Sequence, residues 1–248
     1  MDKARFITSA KANKKPKIEN TLVTLILLCD HPGYRMKSYG PPSLISIQNQ
    51  KLIDIQISAI QNVFNNFEVI LCAGYDVDKV YKYLRSKYSH IKIRIVENQN
   101  YESSNSCESV RVALNNTYND KIIICDGSLL LTPNVLSAID LNKSSVCMQE
   151  NGSCPNLEVG ININENQLVE YFSFGAVHQW SEIVFLHNNE IIDTLRKLLA
   201  NGSYKQKFTF EALNELIKMK FKLSFTNNPS IIQKVNHIKT YHSIKELV

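Results

Sequence analysis

The chain has 248 residues, 44% hydrophobic and 21% charged, which is typical of a globular protein large enough to bury a substantial core. Most of its net charge of +5 lies in residues 1–20, so the rest is nearly neutral and carries no electrostatic footprint for nucleic acid. The sequence has no run of 18 apolar residues and no apolar leader, so we expect neither a membrane span nor a secretion signal.

Residues 1–20 are polar, rich in lysine and without periodicity, which predicts a flexible basic N-terminal arm. Two interpretations of this arm stay open: a solvated tail, or an electrostatic tether to an anionic partner or an assembly. Residues 21–248 predict one α/β domain. The six cysteines have no Cys-x-x-Cys spacing, which favours buried, reduced thiols in a cytoplasmic protein over metal binding.

Residues 22–28 are an unbroken apolar run rich in β-branched side chains, which predicts a strand buried on both faces of a mostly parallel sheet. The run stops at 29–33, where Pro32 and Gly33 predict a loop, and Arg35 follows. A loop with glycine and arginine at the carboxyl end of a central strand is a typical site for a phosphorylated ligand.

Further strands and helices alternate along the chain, which predicts right-handed crossovers and a parallel sheet with helices on both faces. The expected strands are 67–73, 91–96 and 121–125, and the expected helices are 51–64, 77–87 with Asp76 as its cap, 106–117 and 133–141. Beyond them we expect antiparallel edge strands at 145–149, 157–163, 168–172 and 182–186, helices at 189–200, 209–219 and 243–248, and a strand at 222–226.

Two stretches carry a family resemblance. In 27–60, Gly33, Arg35 and Met36 match a Gly-x-Gly-x-Arg-Met motif, Leu44 ends a Lys-Pro-x-x-Leu motif, and Leu52, Ile53, Asp54 and Gln56 match a third motif. In 98–109, the order of Asn98, Tyr101, Asn105 and Ser109 is similar to an N-x-x-Y-x-x-T-N-x-x-x-S motif. Together they resemble the NTP-transferase family, closest to the sugar-phosphate and phosphocholine nucleotidyltransferases.

The resemblance implies a GT-A-like, Rossmann-like α/β fold with a mixed, mostly parallel sheet and an antiparallel C-terminal extension. It implies a nucleotide-binding half, 21–141, and an acceptor half, 142–248. The implied reaction transfers a nucleotidyl group from an NTP, CTP in this branch, to a phosphorylated small molecule such as a sugar phosphate or phosphocholine. The implied roles are triphosphate binding by Gly33 and by the catalytic Arg35, nucleotide binding by Asn105 and Ser109, and Mg²⁺ binding by Asp126.

Each of these residues also has a plainer interpretation from the sequence. Ser104 or Asn105 caps the following helix, whose free N–H groups also suit a phosphate or a base edge. Asp126 is either a carboxylate ligand of a hard cation or a turn residue before Gly127. Trp180 belongs either to the core or to a ligand platform.

Four positions depart from the family pattern. His31 stands at the first glycine, Pro42 at the expected lysine, Ser128 at the second carboxylate of the strand end, and Lys239 at the expected C-terminal aspartate. Nucleotidyl transfer depends on cations that offset phosphate charge, so these departures weaken the catalytic apparatus. Three functions therefore stay open: an active transferase, a degenerate binding or assembly component, for example of a phage or virion, and a divergent GT-A glycosyltransferase.

Overall fold

The chain is described in a computed structural model over residues 21–47, 49–228 and 232–246, so the predicted arm, 1–20, lies outside the described residues. The strands are β1 (Val23–Cys29), β2 (Ser46–Ile47), β3 (Gln50–Lys51), β4 (Phe67–Ala73), β5 (Ile93–Glu97), β6 (Lys121–Asp126), β7 (Ser145–Ser153), β8 (Val159–Ile163), β9 (Val169–Phe174), β10 (His178–His187) and β11 (Ser224–Asn228). The helices are α1 (Leu52–Val63), α2 (Val77–Lys87), α3 (Ser106–Leu114), α4 (Pro133–Ser137), α5 (Asn189–Leu199), α6 (Thr209–Lys218) and α7 (Ile238–Glu246).

The main sheet has the order β11-β7-β10-β6-β1-β4-β5, and β8 and β9 join it through β10. β1 pairs in parallel with β4 on one side and with β6 on the other, and β5 continues the parallel part. The chain thus winds outward from β1 to β5 and returns to the opposite side of β1 with β6. That reversal of strand order creates a crevice at the carboxyl ends of β1 and β6, where open α/β sheets bind ligands.

The two faces of the sheet pack against different helices because successive side chains of a strand point to opposite faces. Ile26 and Ile124 face a core shared with α3, α5 and α6, whereas Leu25, Leu27 and Ile123 face a core shared with α1, α2 and α4. Residues from both predicted halves contribute to each core. The central strands are therefore buried on both sides, as their unbroken apolar sequences predict.

A third, smaller core attaches the C-terminal helix to the loop that follows β1. Met36 from that loop and Leu52 from α1 pack with Val235, Tyr241 and Ile244. This contact explains why α7 begins at Ile238 and not at 243, as the sequence predicted: Tyr241 and Ile244, one turn apart, both face this core. Among the described residues, no helix is long and apolar enough to cross a membrane.

The structure confirms the predicted fold class, a mixed and mostly parallel sheet with helices on both faces. Besides the start of α7, several details differ from the prediction, among them that α4 ends at Ser137 and not at 141. β10 is not an edge addition, because it pairs antiparallel with β6 inside the sheet. α3 ends at Leu114, whose carbonyl oxygen accepts a hydrogen bond from Arg196. Asp76 has left-handed backbone angles and makes no side-chain capping bond; its carboxylate pairs with Lys79.

Candidate functional site

A cavity of about 460 Å³ lies at the carboxyl ends of β1 and β6. Its walls come from the loop after β1, the turn after β6, the first turns of α3 and α6, strands β8 to β10 and the segment before α7. Both halves of the chain thus contribute to one site at the point where the strand order reverses. The position is the one that a phosphorylated ligand takes in open α/β sheets.

The turn after β6 is held rigidly by its neighbours. The Gly127 N–H donates to the carbonyl of Leu28 at 2.8 Å, and the buried Gln56 side chain donates to the carbonyls of Gly127 and Leu129, both at 2.9 Å. A Cβ atom at Gly127 would lie 2.7 Å from the Leu28 oxygen and would overlap the Cys29 sulfur. The close approach of the two strand ends therefore requires glycine, and it fixes the direction of Asp126.

Asp126 belongs to an ion cluster with Lys234 and Glu182. The Lys234 Nζ lies 3.0 Å from Asp126 Oδ2, and 2.6 Å and 2.7 Å from the two carboxylate oxygens of Glu182. The other oxygen of Asp126, Oδ1, accepts hydrogen bonds from the Ser128 N–H at 2.8 Å and from its hydroxyl at 2.5 Å. Every carboxylate oxygen of the cluster thus has a donor within the chain.

The cluster holds one ammonium against two carboxylates, and the pKa values reflect this imbalance. Burial and then repulsion by Asp126 raise the pKa of Glu182 to about 7, although Lys234 opposes the rise. For Asp126, burial opposes ionisation, but Lys234 and the Ser128 hydrogen bonds hold its pKa below the ordinary value. Burial disfavours the Lys234 ammonium, yet the two carboxylates raise its pKa. Burial and the negative charge of Asp126 thus favour a proton on Glu182.

These donors do not fit a resident Mg²⁺ ion. Mg²⁺ requires near-octahedral oxygen ligands at about 2.1 Å, usually with one or two carboxylates directly bound. Here both oxygens of Asp126 are engaged by Lys234 and Ser128, and Glu182 is engaged by Lys234. Within the described part of the chain, no group of three or more His, Cys, Asp or Glu side chains is placed to hold a metal ion.

Asp30, at the end of β1, anchors the loop that forms another wall of the cavity. It is only 3% exposed, and its carboxylate accepts hydrogen bonds from Ser109 Oγ at 2.6 Å and Asn98 Nδ2 at 3.1 Å. His31 Nε2 lies 3.4 Å from the same carboxylate. The amide of Asn98 also donates to Ser104 Oγ. The network ties the β1 loop to the start of α3.

The structure brings three of the predicted site residues together: Gly33, Asn105 and Asp126 all line the cavity. It leaves Arg35 and Ser109 outside the lining. Arg35 is exposed, with a left-handed φ of 58°, and its guanidinium lies over the Tyr34 ring at 5.2 Å. Ser109 is fully buried and bonded to Asp30, so it positions the loop and does not face a ligand.

Gly33 and Asn105 each have a structural explanation as well. A Cβ atom at Gly33 would lie 2.6 Å from the Asn236 carbonyl oxygen, which accepts the Tyr34 N–H at 2.8 Å. Asn105 occupies the N-cap position of α3 but makes no capping bond; its amide donates instead to the Gln206 carbonyl at 3.4 Å. Its role in nucleotide binding stays a prediction.

The C-terminal segment enters the cavity through residues other than Lys239. Lys239 is exposed on the first turn of α7, which begins at Ile238, whereas Lys234 and Asn236 line the cavity. The correspondence of Lys239 with the aspartate of the family motif stays a prediction.

An aromatic wall, which we define as Phe174, Trp180, Phe208 and Phe210, lines the cavity beside Glu158. Phe210 contacts Phe174 edge-on at 5.6 Å and stacks on Phe208 at 5.9 Å. Phe174 is 56% exposed and Phe208 is 45% exposed, which is unusual for large apolar rings. Trp180 is both core and lining, because it packs on Phe172 while its N–H donates to the Ile183 carbonyl at 3.1 Å.

Neither Lys234 nor Glu182 was predicted from the sequence as a site residue. Glu182 did leave a signal, since it is the only carboxylate of β10 and directly precedes the apolar residues 183–186. Its left-handed φ of 54° sits at an irregularity in the pairing of β10 with β7, between Trp180 and Val184. This irregularity turns the side chain toward Asp126. Lys234 left no signal, because it lies far along the chain in a segment without regular periodicity.

No protein-family model and no curated protein matches the chain by sequence. By structure it is similar to CTP:phosphocholine cytidylyltransferase from Streptococcus pneumoniae, with a TM-score of 0.73, 19% identity, and coverage of 91% of this chain and 98% of that one. It is also similar to inositol-1-phosphate CTP transferase from T. maritima, with a TM-score of 0.73, 11% identity and coverage of 93% and 98%. A third similar structure is a UDP-glucose pyrophosphorylase complexed with UDP-glucose. Its TM-score is 0.74 and its identity is 11%, and the match covers 91% of this chain and 98% of that one.

These likenesses extend over nearly the whole of each chain. They establish that the chain has the GT-A-like fold of the nucleotidyltransferases, which confirms the family resemblance at the level of the fold. At identities of 11% to 19%, the likeness shows the fold and does not show the activity of this chain.

Proposed function

We propose that the chain is a nucleotidyltransferase that binds CTP and a phosphorylated amino alcohol of the phosphocholine type in this cavity. The observation that carries the proposal is that the exposed aromatic wall and Glu158 line the same cavity as the N-terminus of α3. One cavity thus offers apolar ring faces next to a carboxylate, together with a helix N-terminus that suits phosphate.

The acceptor follows from the chemistry of the aromatic wall. Aromatic faces attract quaternary ammonium groups, and a neighbouring carboxylate such as Glu158 adds Coulombic attraction. A sugar phosphate would instead require many hydrogen-bonding side chains around its hydroxyl groups, because a polar group that is buried without a partner is costly. Phe174, Phe208 and Phe210 offer none, so the wall favours a choline-like head group.

The nucleotide is placed on the side of α3. The positive dipole end of α3 suits phosphate oxygens, and Asn105 and Ser106 line the cavity there. The N–H groups of Asn105 and Cys107 donate to the carbonyls of Lys205 and Lys207, so the proposed attraction comes from the helix dipole and from Ser106. CTP is proposed over other NTPs because two of the structural neighbours are named for CTP. Arg35 is exposed and two residues from Gly33, and we propose that it contacts the triphosphate at the mouth of the cavity.

The proposed step is an in-line displacement. A phosphate oxygen of the acceptor attacks the α-phosphorus of CTP, the bond from that phosphorus to the bridging oxygen breaks, and pyrophosphate leaves with the electron pair. No proton has to be removed from a phosphate dianion, so the chain has only to align two anions and offset their charge. The product is the cytidine diphosphate ester of the amino alcohol.

The test is to incubate the protein with CTP and phosphocholine and to follow CDP-choline and pyrophosphate by ³¹P NMR. Parallel samples contain Mg²⁺ or EDTA, which also tests the predicted Mg²⁺ requirement, and glucose 1-phosphate replaces phosphocholine as the acceptor control. We expect product from phosphocholine and none from glucose 1-phosphate. Turnover of glucose 1-phosphate alone would show that the acceptor has been assigned wrongly.

A variant of the aromatic wall sharpens this test. Phe208→Ala should weaken phosphocholine binding by roughly tenfold, since a cation–π contact contributes on the order of 1 kcal/mol and the lost apolar surface adds to it. The affinity for CTP should stay within twofold. Tyr118→Ala, at a fully exposed ring distant in sequence from the wall, serves as the matched control. Equal losses of affinity for CTP and for phosphocholine would refute the proposal that the acceptor binds at the aromatic wall and the nucleotide binds at α3.

A second candidate function is binding without transfer. It is favoured by the engagement of both cluster carboxylates with Lys234 and by Pro42 at the position of the motif lysine. Calorimetric binding of CTP or phosphocholine, with no pyrophosphate released under either metal condition, would support this candidate.

A further inference from the structure

We infer that Lys234 is a built-in counter-ion that closes this site to divalent cations. Its ammonium lies between Asp126 and Glu182, where a metal ion shared by the two carboxylates would otherwise sit. The inference about the ion site stands on the geometry alone; its consequence for nucleotide binding rests on the proposed function.

The ammonium is well matched to the two carboxylates. Lys234 Nζ has three N–H donors, and three carboxylate oxygens lie 2.6, 2.7 and 3.0 Å from it. Its side chain is only 26% exposed, and those of Glu182 and Asp126 are 27% and 30% exposed. Partly buried, charge-assisted hydrogen bonds of this kind are much stronger than ion pairs at the surface.

The backbone places Lys234 in the cluster. Gln233 accepts a hydrogen bond from the Leu130 N–H at 2.9 Å, and the Val235 N–H donates to the Ser128 carbonyl at 2.8 Å. The segment that carries Lys234 is thus paired on both sides with the turn that carries Asp126. Val235 is also fully buried in the third core. A lysine fixed in this way is part of the site and not a surface side chain that happens to reach it.

A divalent ion would have to displace this arrangement. To bind both carboxylates at about 2.1 Å it would sit within a few ångströms of the ammonium, and the two cations would repel each other. Moving Lys234 away would leave its charge without a partner in a partly buried site, which is costly. The carboxylates of Asp126 and Glu182 therefore provide the negative charge of a cation site, but the Lys234 ammonium occupies the position that a metal ion would take.

The experiment uses Mn²⁺ alone as the probe and measures free Mn²⁺ by its EPR signal. The proteins are the full chain, Lys234→Ala, Lys234→Met, which keeps most of the packing volume, and Lys239→Ala as a control for a lost lysine charge on the same segment. Circular dichroism confirms that each variant is folded. Asp126→Asn, alone and combined with Lys234→Ala, tests whether any bound ion lies at the cluster.

We expect the full chain and Lys239→Ala to bind no Mn²⁺ at millimolar concentration. Lys234→Ala or Lys234→Met should bind one ion, and Asp126→Asn in the Lys234→Ala background should weaken that binding at least tenfold. Binding of Mn²⁺ to the full chain that Asp126→Asn removes would overturn the inference. So would folded Lys234→Ala and Lys234→Met proteins that both bind no ion.

A CTP titration separates this inference from the proposed function. In the full chain, CTP affinity in EDTA and in excess Mg²⁺ should agree within threefold, whereas in Lys234→Ala Mg²⁺ should strengthen it at least fivefold. A full chain that binds CTP only with Mg²⁺ would overturn the inference and leave the proposed function standing. If CTP binds under neither condition, the proposed function fails, and the Mn²⁺ measurement still decides the inference.

Discussion

Replacement of Glu182 by glutamine should change how the stability of the protein depends on pH. Glu182 shares a single ammonium with Asp126, and burial followed by repulsion from Asp126 raises its pKa from the ordinary value of 4.5 to about 7. The folded state thus binds the Glu182 proton more tightly than the unfolded state does. Its contribution to stability is fully present below pH 4.5 and is lost as the pH rises through 7.

The size of the effect follows from the pKa difference. Each pKa unit corresponds to 1.36 kcal/mol, so the loss between pH 4.5 and pH 8 is about 3 kcal/mol as an upper estimate. Glutamine keeps the shape and an acceptor oxygen for Lys234 but cannot ionise. The free energy of unfolding of Glu182→Gln relative to the unmodified chain should therefore rise by about 2 to 3 kcal/mol between pH 4.5 and pH 8.

The assay is urea unfolding of both proteins at several pH values, followed by circular dichroism. The difference between the two free energies of unfolding at each pH cancels, to first order, the contribution of every other titrating group. Glu165→Gln, which removes an exposed carboxylate from a turn, is the matched control and should show no such trend. A stability difference that does not vary with pH would mean that Lys234 fully compensates Glu182. A difference of the opposite sign would refute the assignment of Glu182 as the strained member of the cluster.

Two further predictions concern the framework of the site. Gly127→Ala should lower the free energy of unfolding by about 3 kcal/mol, because the new methyl group overlaps the Leu28 carbonyl and Cys29. The melting temperature should fall by roughly 6 to 12 °C. Gly202→Ala, which has open space around it, is the control and should change the melting temperature little. For Asp54, burial opposes ionisation, but hydrogen bonds from Lys87, Tyr83 and Tyr88 outweigh it and hold the pKa below the ordinary value. Asp54→Asn should therefore cost about 1 to 3 kcal/mol at pH 7, and the cost should shrink as acid protonates the native carboxylate below its ordinary pKa of 3.8. A cost in urea unfolding that stays constant as the pH falls would contradict this.

Much of the fold was predictable because the central elements are specified locally. β4 and α2 have the predicted bounds, since an unbroken apolar run and a helical apolar stripe each indicate one structure. The positions of Gly33, Asn105 and Asp126 around one cavity were also predictable. Each of them follows a parallel strand, and the carboxyl ends of parallel strands meet at one edge of the sheet.

Which side chains reach the cavity was not predictable from these positions. Arg35 carries the family motif, yet it has a left-handed backbone beside the pairing of Tyr34 with Asn236, and its guanidinium lies over the Tyr34 ring and outside the cavity lining. Ser109 matches its motif too, yet it is buried against Asp30. A motif match fixes a residue's place along the chain, whereas the direction of a side chain depends on the backbone angles and neighbours that surround it.

The sequence by itself determined the central strands, most of the helices, the parallel sheet with helices on both faces and the edge of the sheet where a site forms. These features depend on apolar periodicity and on turn residues, which act over a few neighbouring positions. Only the tertiary structure decided the charge of the site. It places Lys234, from a segment without periodicity, between Asp126 at a strand end and Glu182 at an irregularity of another strand. The electrostatic energy of such a cluster depends on distances of a few ångströms between groups that are remote in sequence, and no local pattern encodes those distances.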